Sequence, residues 1–286
     1  MKRTNIYLLC ILLLTVACNA QRKADIIPVS PSVEKKLVWA EEFNYSGLPD
    51  STKWGYELGF VRNQEPQYYT SKRLDNARVE NGMLVIEARK ENFPNAAYKP
   101  GSTVASQKDS LAAYTSASIN TLNKQTWQYG RIEVRAKVPA GKGTWPAIWM
   151  MGENRPQVGW PDCGEIDIME FLGKDPSTVY ATIHYPDTNA AKYKSMGGKT
   201  VTTDASSDFH VYAIEWNKDS IVFYFDAQRY FAFDIKKSQH TSFNPFQKKN
   251  YLLLNMALGH QGAWPGPTDD NILPIRYYVD YVRVYQ

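Results

Sequence analysis

Residues 131–138, R-I-E-V-R-A-K-V, place Ile132, Val134, Ala136 and Val138 on one side and Glu133, Arg135 and Lys137 on the other. A repeat of two is the mark of a strand with one face in a core and the other in water. Five further runs, 83–88, 209–216, 221–225, 251–258 and 276–285, are rich in aromatic and β-branched residues, which suit a pleated surface. Asn81-Gly82, Ala140-Gly141-Lys142-Gly143 and Asn217-Lys218-Asp219 punctuate them with turn residues. No long stretch carries a helical repeat. Many short antiparallel strands in a domain of about 250 residues predict an all-β sandwich or barrel. Residues 92–109, poor in apolar side chains, read as a long surface loop.

The chain of 286 residues carries a formal charge of +4, and losing Lys2 and Arg3 with a leader would leave +2. Basic residues cluster only in pairs such as Lys35-Lys36 and Lys248-Lys249, so nucleic acid is not an expected partner. Lys2 and Arg3 precede the apolar run 6–17, which is too short to span a membrane. The run ends Leu14-Thr15-Val16-Ala17-Cys18 and resembles a bacterial lipoprotein signal, with Thr15 where leucine is usual. Cys18 is then the lipidated residue, and an ordinary cleaved secretory signal is the alternative. Residues 1–18 are read as the leader, 19–36 as a flexible tether, and 37–286 as the folded domain. An exported protein held to the outer membrane only by lipid, and otherwise monomeric, is the expectation. Of the three cysteines, Cys10 and Cys18 fall in the leader and leave Cys163 alone, so no disulfide can form within the domain. A buried structural thiol is its expected role.

Residues 164–171 read G-E-I-D-I-M-E-F, with Glu165, Asp167 and Glu170 separated only by Ile166, Ile168 and Met169. Alternation again predicts a strand, yet like charges side by side on one face repel. Three close carboxylates cannot all keep ordinary pKa values, because ionising one raises the others. That suits chemistry needing one ionised carboxylate and one protonated acid, as glycosidic cleavage does. Glu165 and Glu170 are five apart and would face opposite ways in a regular strand. One extra residue at Ile168 or Met169, a β-bulge, would return Glu170 to the face of Glu165 and Asp167. An acidic but inert strand face is the alternative reading of the pattern.

These residues resemble the signature of glycoside hydrolase family sixteen, E-x-D-x-x-E. The run 141–152, G-K-G-T-W-P-A-I-W-M-M-G, is similar to the laminarinase-like branch, as are 63–70, N-Q-E-P-Q-Y-Y-T, Trp264-Pro265-Gly266, and 278–286, Y-V-D-Y-V-R-V-Y-Q. The resemblance implies a β-jelly-roll sandwich of two antiparallel sheets with an open cleft on the concave face. It makes Glu165 the nucleophile, Glu170 the general acid/base, and Asp167 the residue that tunes both. The implied activity is retaining endo-hydrolysis of β-1,3-glucan or mixed-linkage β-1,3-1,4-glucan. Agarose or carrageenan as substrate, or a glycan-binding protein without catalysis, are the alternatives.

Sugar rings present an apolar C–H face that packs on indoles. Trp145 and Trp149 share strand parity just before the acidic strand and are expected to line the cleft; the resemblance adds Trp160, Trp264 and Asn63, with Glu65 beside it. His184, in T-I-H-Y, resembles a cleft histidine near the acid/base. Trp39, Trp54, Trp127 and Trp216 are expected in the core. His210, His240 and His260 lack metal-ligand spacing, and no cofactor is expected in catalysis. The resemblance also implies a structural calcium away from the cleft, on Glu42, the backbone of Gly82, and Asp280.

Overall fold

The structure, a computed structural model, describes residues 35–187, 193–239 and 243–286. The predicted leader with Cys18, and residues 19–34 of the predicted tether, lie outside the described residues. Strands follow one another almost without interruption: β1 Leu37–Glu41, β2 Gly55–Tyr56, β3 Gln67–Tyr69, β4 Ala77–Glu80, β5 Met83–Pro94 and β6 Leu111–Ser116. The central group is β7 Ser118–Asn120, β8 Gly130–Lys137, β9 Thr144–Gly152, β10 Glu165–Phe171, β11 Thr178–Pro186 and β12 Tyr193–Val201. The chain closes with β13 His210–Trp216, β14 Ser220–Phe225, β15 Gln228–Asp234, β16 Asn250–Leu258 and β17 Ile275–Tyr285. All six predicted runs are strands, within about two residues at most ends.

A ten-stranded outer sheet runs β15-β14-β13-β8-β17-β5-β6-β3, with β1 beside β17 and β4 beside β5. A seven-stranded inner sheet runs β12-β11-β10-β9-β16-β7-β2. Pairing is antiparallel except between β3 and β6, which are parallel. Asn81 and Gly82 both take positive φ, 53° and 74°, and close a two-residue turn between Glu80 and Met83, as a tight hairpin requires.

Alternation decides what lies between the sheets. Ile132, Val134 and Ala136 of β8 and Val279, Val282 and Val284 of β17 face Ile166, Ile168 and Phe171 of β10 and Leu252, Leu254 and Met256 of β16, all at 0% exposure. Burying each larger aliphatic or aromatic side chain contributes about 1.5–3 kcal/mol. The core Trp assignments hold. Trp54, Trp127 and Trp216 are buried, and half-buried Trp39 packs edge-on against Trp54 and Trp127 at 6.1 and 5.1 Å. Cys163 is buried and unpaired, and burial pushes its thiol up to about 12.

The expected loop at 92–109 is a loop only in part. β5 runs on to Pro94, pairing Phe93 with Ala112 and Pro94 with Leu111, and a single helical turn covers Ala105–Lys108. The extension looked like a loop because every second side chain is exposed, which lowers its apolar content without ending the strand.

The outer sheet's exposed face is an ion-pair lattice built on one deeply buried acid. Glu87, 1% exposed, accepts from Arg78 at 3.0 Å, Arg276 at 2.8 Å, and Arg89. Charge-assisted bonds of this kind contribute about 1.5–3 kcal/mol each, less where the partner is solvated. Glu87→Ala is expected to lower stability by about 2–3 kcal/mol, read as a shifted urea midpoint with unchanged m-value.

Candidate active site

The acidic strand starts on a backbone only glycine tolerates: Gly164 has φ +73°, and a Cβ there would lie 2.7 Å from Pro245 Cβ. From there β10 faces two ways. Ile166, Ile168, Met169 and Phe171 all enter the core between the sheets. Glu165, Asp167 and Glu170 face the opposite side. The register shows how. Glu165, Asp167 and Glu170 pair with His184, Thr182 and Tyr180 of β11, and with Met151, Trp149 and Ala147 of β9. Both neighbours advance by twos, whereas β10 spends three residues between Asp167 and Glu170. The extra residue is a bulge at Ile168–Met169, where alternation required one.

Glu165 and Glu170 are held by neutral donors. Trp160 Nε1 donates to Glu165 Oε2 at 2.6 Å. Trp145 Nε1 and Thr182 Oγ1 donate to the two oxygens of Glu170 at 3.2 and 3.1 Å. Asp167, 4% exposed, shares a side-chain hydrogen bond with Glu165. Its Oδ2 has no hydrogen-bond partner and lies 3.3 Å from His184 Nε2.

Burial pushes the Glu170 carboxyl up to about 7; the Glu165 charge adds to the rise, and the bonds from Thr182 and Trp145 restrain it. Asp167 is raised well above the usual carboxylate range, chiefly by burial and then by the charges of Glu165 and Glu170. Burial lowers His184 against the opposing charge of Glu165, so its ring is neutral at pH 7. Burial therefore favours the protonated form of Asp167 and of Glu170 beside the more exposed Glu165.

A groove of about 480 Å³ lies over these groups. Its floor is a small second core on the outer side of the inner sheet: Ala147, Trp149, Met151, Cys163, Tyr251 and Leu253. Trp149 Nε1 donates to Asn255 Oδ1 at 2.7 Å, and Asn255 donates to Tyr69 Oη at 2.9 Å. One wall is aromatic at the Glu170 end, where Trp264 meets Trp145 at 5.7 Å and Tyr180 at 5.0 Å. The other stands at the Glu165 end, where Trp160 meets Tyr193 at 4.5 Å. Asn63 lines the groove and donates to Glu65 at 3.2 Å, and Gln67 donates to Glu65 at 2.8 Å.

All six residues expected to contact substrate thus line one groove. His184 differs in placement: it pairs with Glu165 rather than sitting by Glu170, because the bulge falls after Asp167 and leaves the Glu165 end in simple register. Sequence reasoning missed Arg62, Asn255, Thr182 and Tyr193. Arg62 is ion-paired to Glu57 and stacks 4.9 Å over the Trp149 ring. Asn255 carried a readable signal as the one polar side chain inside Y-L-L-L-N-M-A-L, as did Thr182, two before His184 in a strand.

The residues implied for calcium lie on the outer sheet. Pairing of Glu41 with Val282 and of Leu84 with Val279 brings Glu42 and Gly82 alongside Asp280. Oxygen donors suit calcium. An ion there would have to displace Arg283, bidentate on Glu42 at 2.8 and 2.9 Å, and Arg135, 2.6 Å from Asp280.

A sandwich with carboxylates on one strand face beneath an aromatic groove is the build of an enzyme that cleaves glycosidic bonds. Residues 64–283 match the glycosyl hydrolases family 16, and the chain belongs to that family. It is 41% identical to a β-glucanase of Rhodothermus marinus over 261 residues, covering 88% of this chain and 85% of that protein. The solved laminarinase of R. marinus superposes with TM-score 0.74 at 40% identity, covering 88% and 97% of the two chains. A structure from work on endo-acting O-glycanases of the human gut microbiota, which initiate mucin breakdown, gives TM-score 0.82 at 40% identity and covers 88% and 91%.

The raised Glu170 carboxyl weakens the fold at alkaline pH. Between the ordinary value of 4.5 and about 7 the folded state holds more protons than the unfolded chain, so stability falls as pH rises through that window. Glu170→Gln is expected to raise stability at pH 8 by roughly 1–3 kcal/mol, with the gain fading towards pH 4.5, measured by thermal unfolding across that range.

Proposed function

We propose that the chain is a retaining endo-β-glucanase that hydrolyses β-1,3-glucan or mixed-linkage β-1,3-1,4-glucan by double displacement. The observation that carries this reading is the bulged strand, which sets a buried, proton-bearing Glu170 and a more exposed Glu165 on one face of one strand. Glu165 attacks the anomeric carbon while Glu170 gives its proton to the leaving oxygen. The resulting glycosyl ester on Glu165 is hydrolysed by water that Glu170, now ionised, deprotonates. Asp167 orients Glu165 by their hydrogen bond and, kept protonated, adds no charge that would oppose the attack. The Trp145–Trp264 and Trp160–Tyr193 clusters offer platforms for sugar rings on either side of the bond.

The β-glucanase and laminarinase relatives support glucan as the substrate. A binding protein without catalysis has no need of a Glu165–Glu170 pair, and a sulfated galactan would favour several free cations in the groove, where of the two lining arginines, Arg62 and Arg155, the first is already neutralised by Glu57. The likeness to the O-glycanase work supports a second reading, mucin-type O-glycans, in the same groove. Residues 1–18 support export with lipidation at Cys18. A calcium held by Glu42, Gly82 and Asp280 would act on stability, since each chemical step above runs on carboxylates alone.

The test is a product profile of the protein on laminarin, barley mixed-linkage glucan, lichenan, agarose and mucin, with folded Glu165→Ala as control. Short gluco-oligosaccharides released first as the β-anomer, and absent in the control, are expected. Products from mucin alone would move the substrate to the second reading. Undiminished turnover in Glu165→Ala would remove Glu165 as nucleophile.

A further inference from the structure

We propose that the catalytic centre is also a binding site for one divalent transition-metal ion, Zn²⁺ or Cu²⁺, held by Glu165, Asp167 and His184, and that the bound ion blocks the enzyme. Ligand atoms of these three residues lie within 4.8 Å of one another. No other group of three His, Cys, Asp or Glu among the described residues has this closeness. Two carboxylates with one imidazole form a donor set of the kind zinc takes in open sites, with a fourth position left for water.

One ligand pair already has the spacing such an ion needs, and the third ligand, within 4.8 Å, closes in on binding. Nε2 of His184 and Oδ2 of Asp167 are 3.3 Å apart, close to the edge of a tetrahedron whose bonds are about 2.0–2.1 Å long. That Oδ2 belongs to a residue 4% exposed and has no hydrogen-bond partner, so it is a buried acceptor aimed at the space between the three ligands. Glu165 Oε2 accepts from Trp160, and as the more exposed carboxylate Glu165 can swing inwards to close the set.

The outer layer is equally suited. Ser195 Oγ lies 2.7 Å from His184 Nδ1, across the register pair Ser195–His184 of β12 and β11. A partner on Nδ1 fixes the ring with Nε2 facing the carboxylates, as outer-shell groups do for metal-bound histidines. The groove of about 480 Å³ that both Glu165 and His184 line gives the ion a path from solvent. An ion there occupies the oxygen that would attack the sugar, so metal and glycan exclude each other. The oxygen-only residues implied for calcium offer no such nitrogen donor.

Co²⁺ titration of the full chain, without an added histidine tag, tests the site without any substrate. One equivalent should bind with the intense visible bands of a low-coordinate Co²⁺ ion, and Zn²⁺ should displace it. Ser195→Ala should weaken binding about 10–100-fold, and His184→Gln should abolish the spectrum. Zn²⁺ should inhibit wild-type hydrolysis competitively with glycan, at the affinity that displacement gives. Absence of the spectrum, a spectrum indifferent to both substitutions, or inhibition that glycan does not relieve would overturn the proposal. Because the Co²⁺ spectrum needs no glycan, a wrong substrate assignment would leave it unchanged.

Discussion

Between Asp167 and Glu170 the backbone of β10 carries one residue more than either neighbour, and the rest of the site depends on how that residue is absorbed. A regular strand would turn Glu170 into the space filled by Ile168, Met169 and Phe171, where an ionised carboxylate costs several kcal/mol. The bulge sends Met169 inwards beside Ile168, so two successive side chains join the core and three carboxylates keep the other face. Neither β9 nor β11 departs from its own spacing there, which confines the irregularity to the strand that needs it. A bulge also bends and twists its strand, which favours a trough over a flat sheet at that point.

Cations pair with the acids of the outer sheet and not with the carboxyls of the groove. On the outer sheet Glu87 is ringed by three arginines, and Glu42 and Asp280 are each held by one. In the groove the hydrogen-bond donors to Glu165 and Glu170 are indoles and a hydroxyl, and His184 is kept neutral by burial. An arginine bonded to Glu170 would hold it ionised and remove the proton that a leaving sugar oxygen requires. Arg62, close enough to stack on Trp149, is engaged by Glu57 instead. Burial first, and then the like-charge crowding that is poor design for a stable strand, favour a protonated carboxylic acid there near neutral pH.

Much of this was legible in the sequence because alternation is a local signal. β8 can be read from its own eight residues, and the five-residue spacing of Glu165 and Glu170 contains the bulge within it. What stayed hidden depends on partners far along the chain. Nothing in G-W-P announces that the Trp160 indole bonds Glu165, and Ser195 and Tyr193 gain meaning only when β12 pairs with β11. Nothing in T-I-H-Y says which carboxyl His184 meets, since its pairing with Glu165 is fixed by register and not by distance in sequence. The polar end of β5 reads as loop because composition reports exposure, and an exposed strand shares that composition.

The site divides into a part that cannot move and parts that can. Glu165, Asp167 and Glu170 stand on a central strand hydrogen-bonded on both sides, over a floor that is itself a packed cluster around Trp149 and Tyr251. The walls come from elsewhere: Trp160 and Trp264 from connecting segments, Tyr193 and Ser195 from β12, the last strand of the inner sheet. β12 is exposed along most of its length, and Lys194 and Lys199 guard it against pairing with another chain. Gly198 lets it lie against Phe231 of β15, where a Cβ would come within 2.6 Å. Substitutions in these border elements can reshape the wall contacts with little cost to the core, because they share few buried neighbours with it. Changes in β10 act at once on packing, register and proton placement. The wall contacts can therefore change while the acidic strand stays, since the groove walls and the three carboxyls are anchored in different elements.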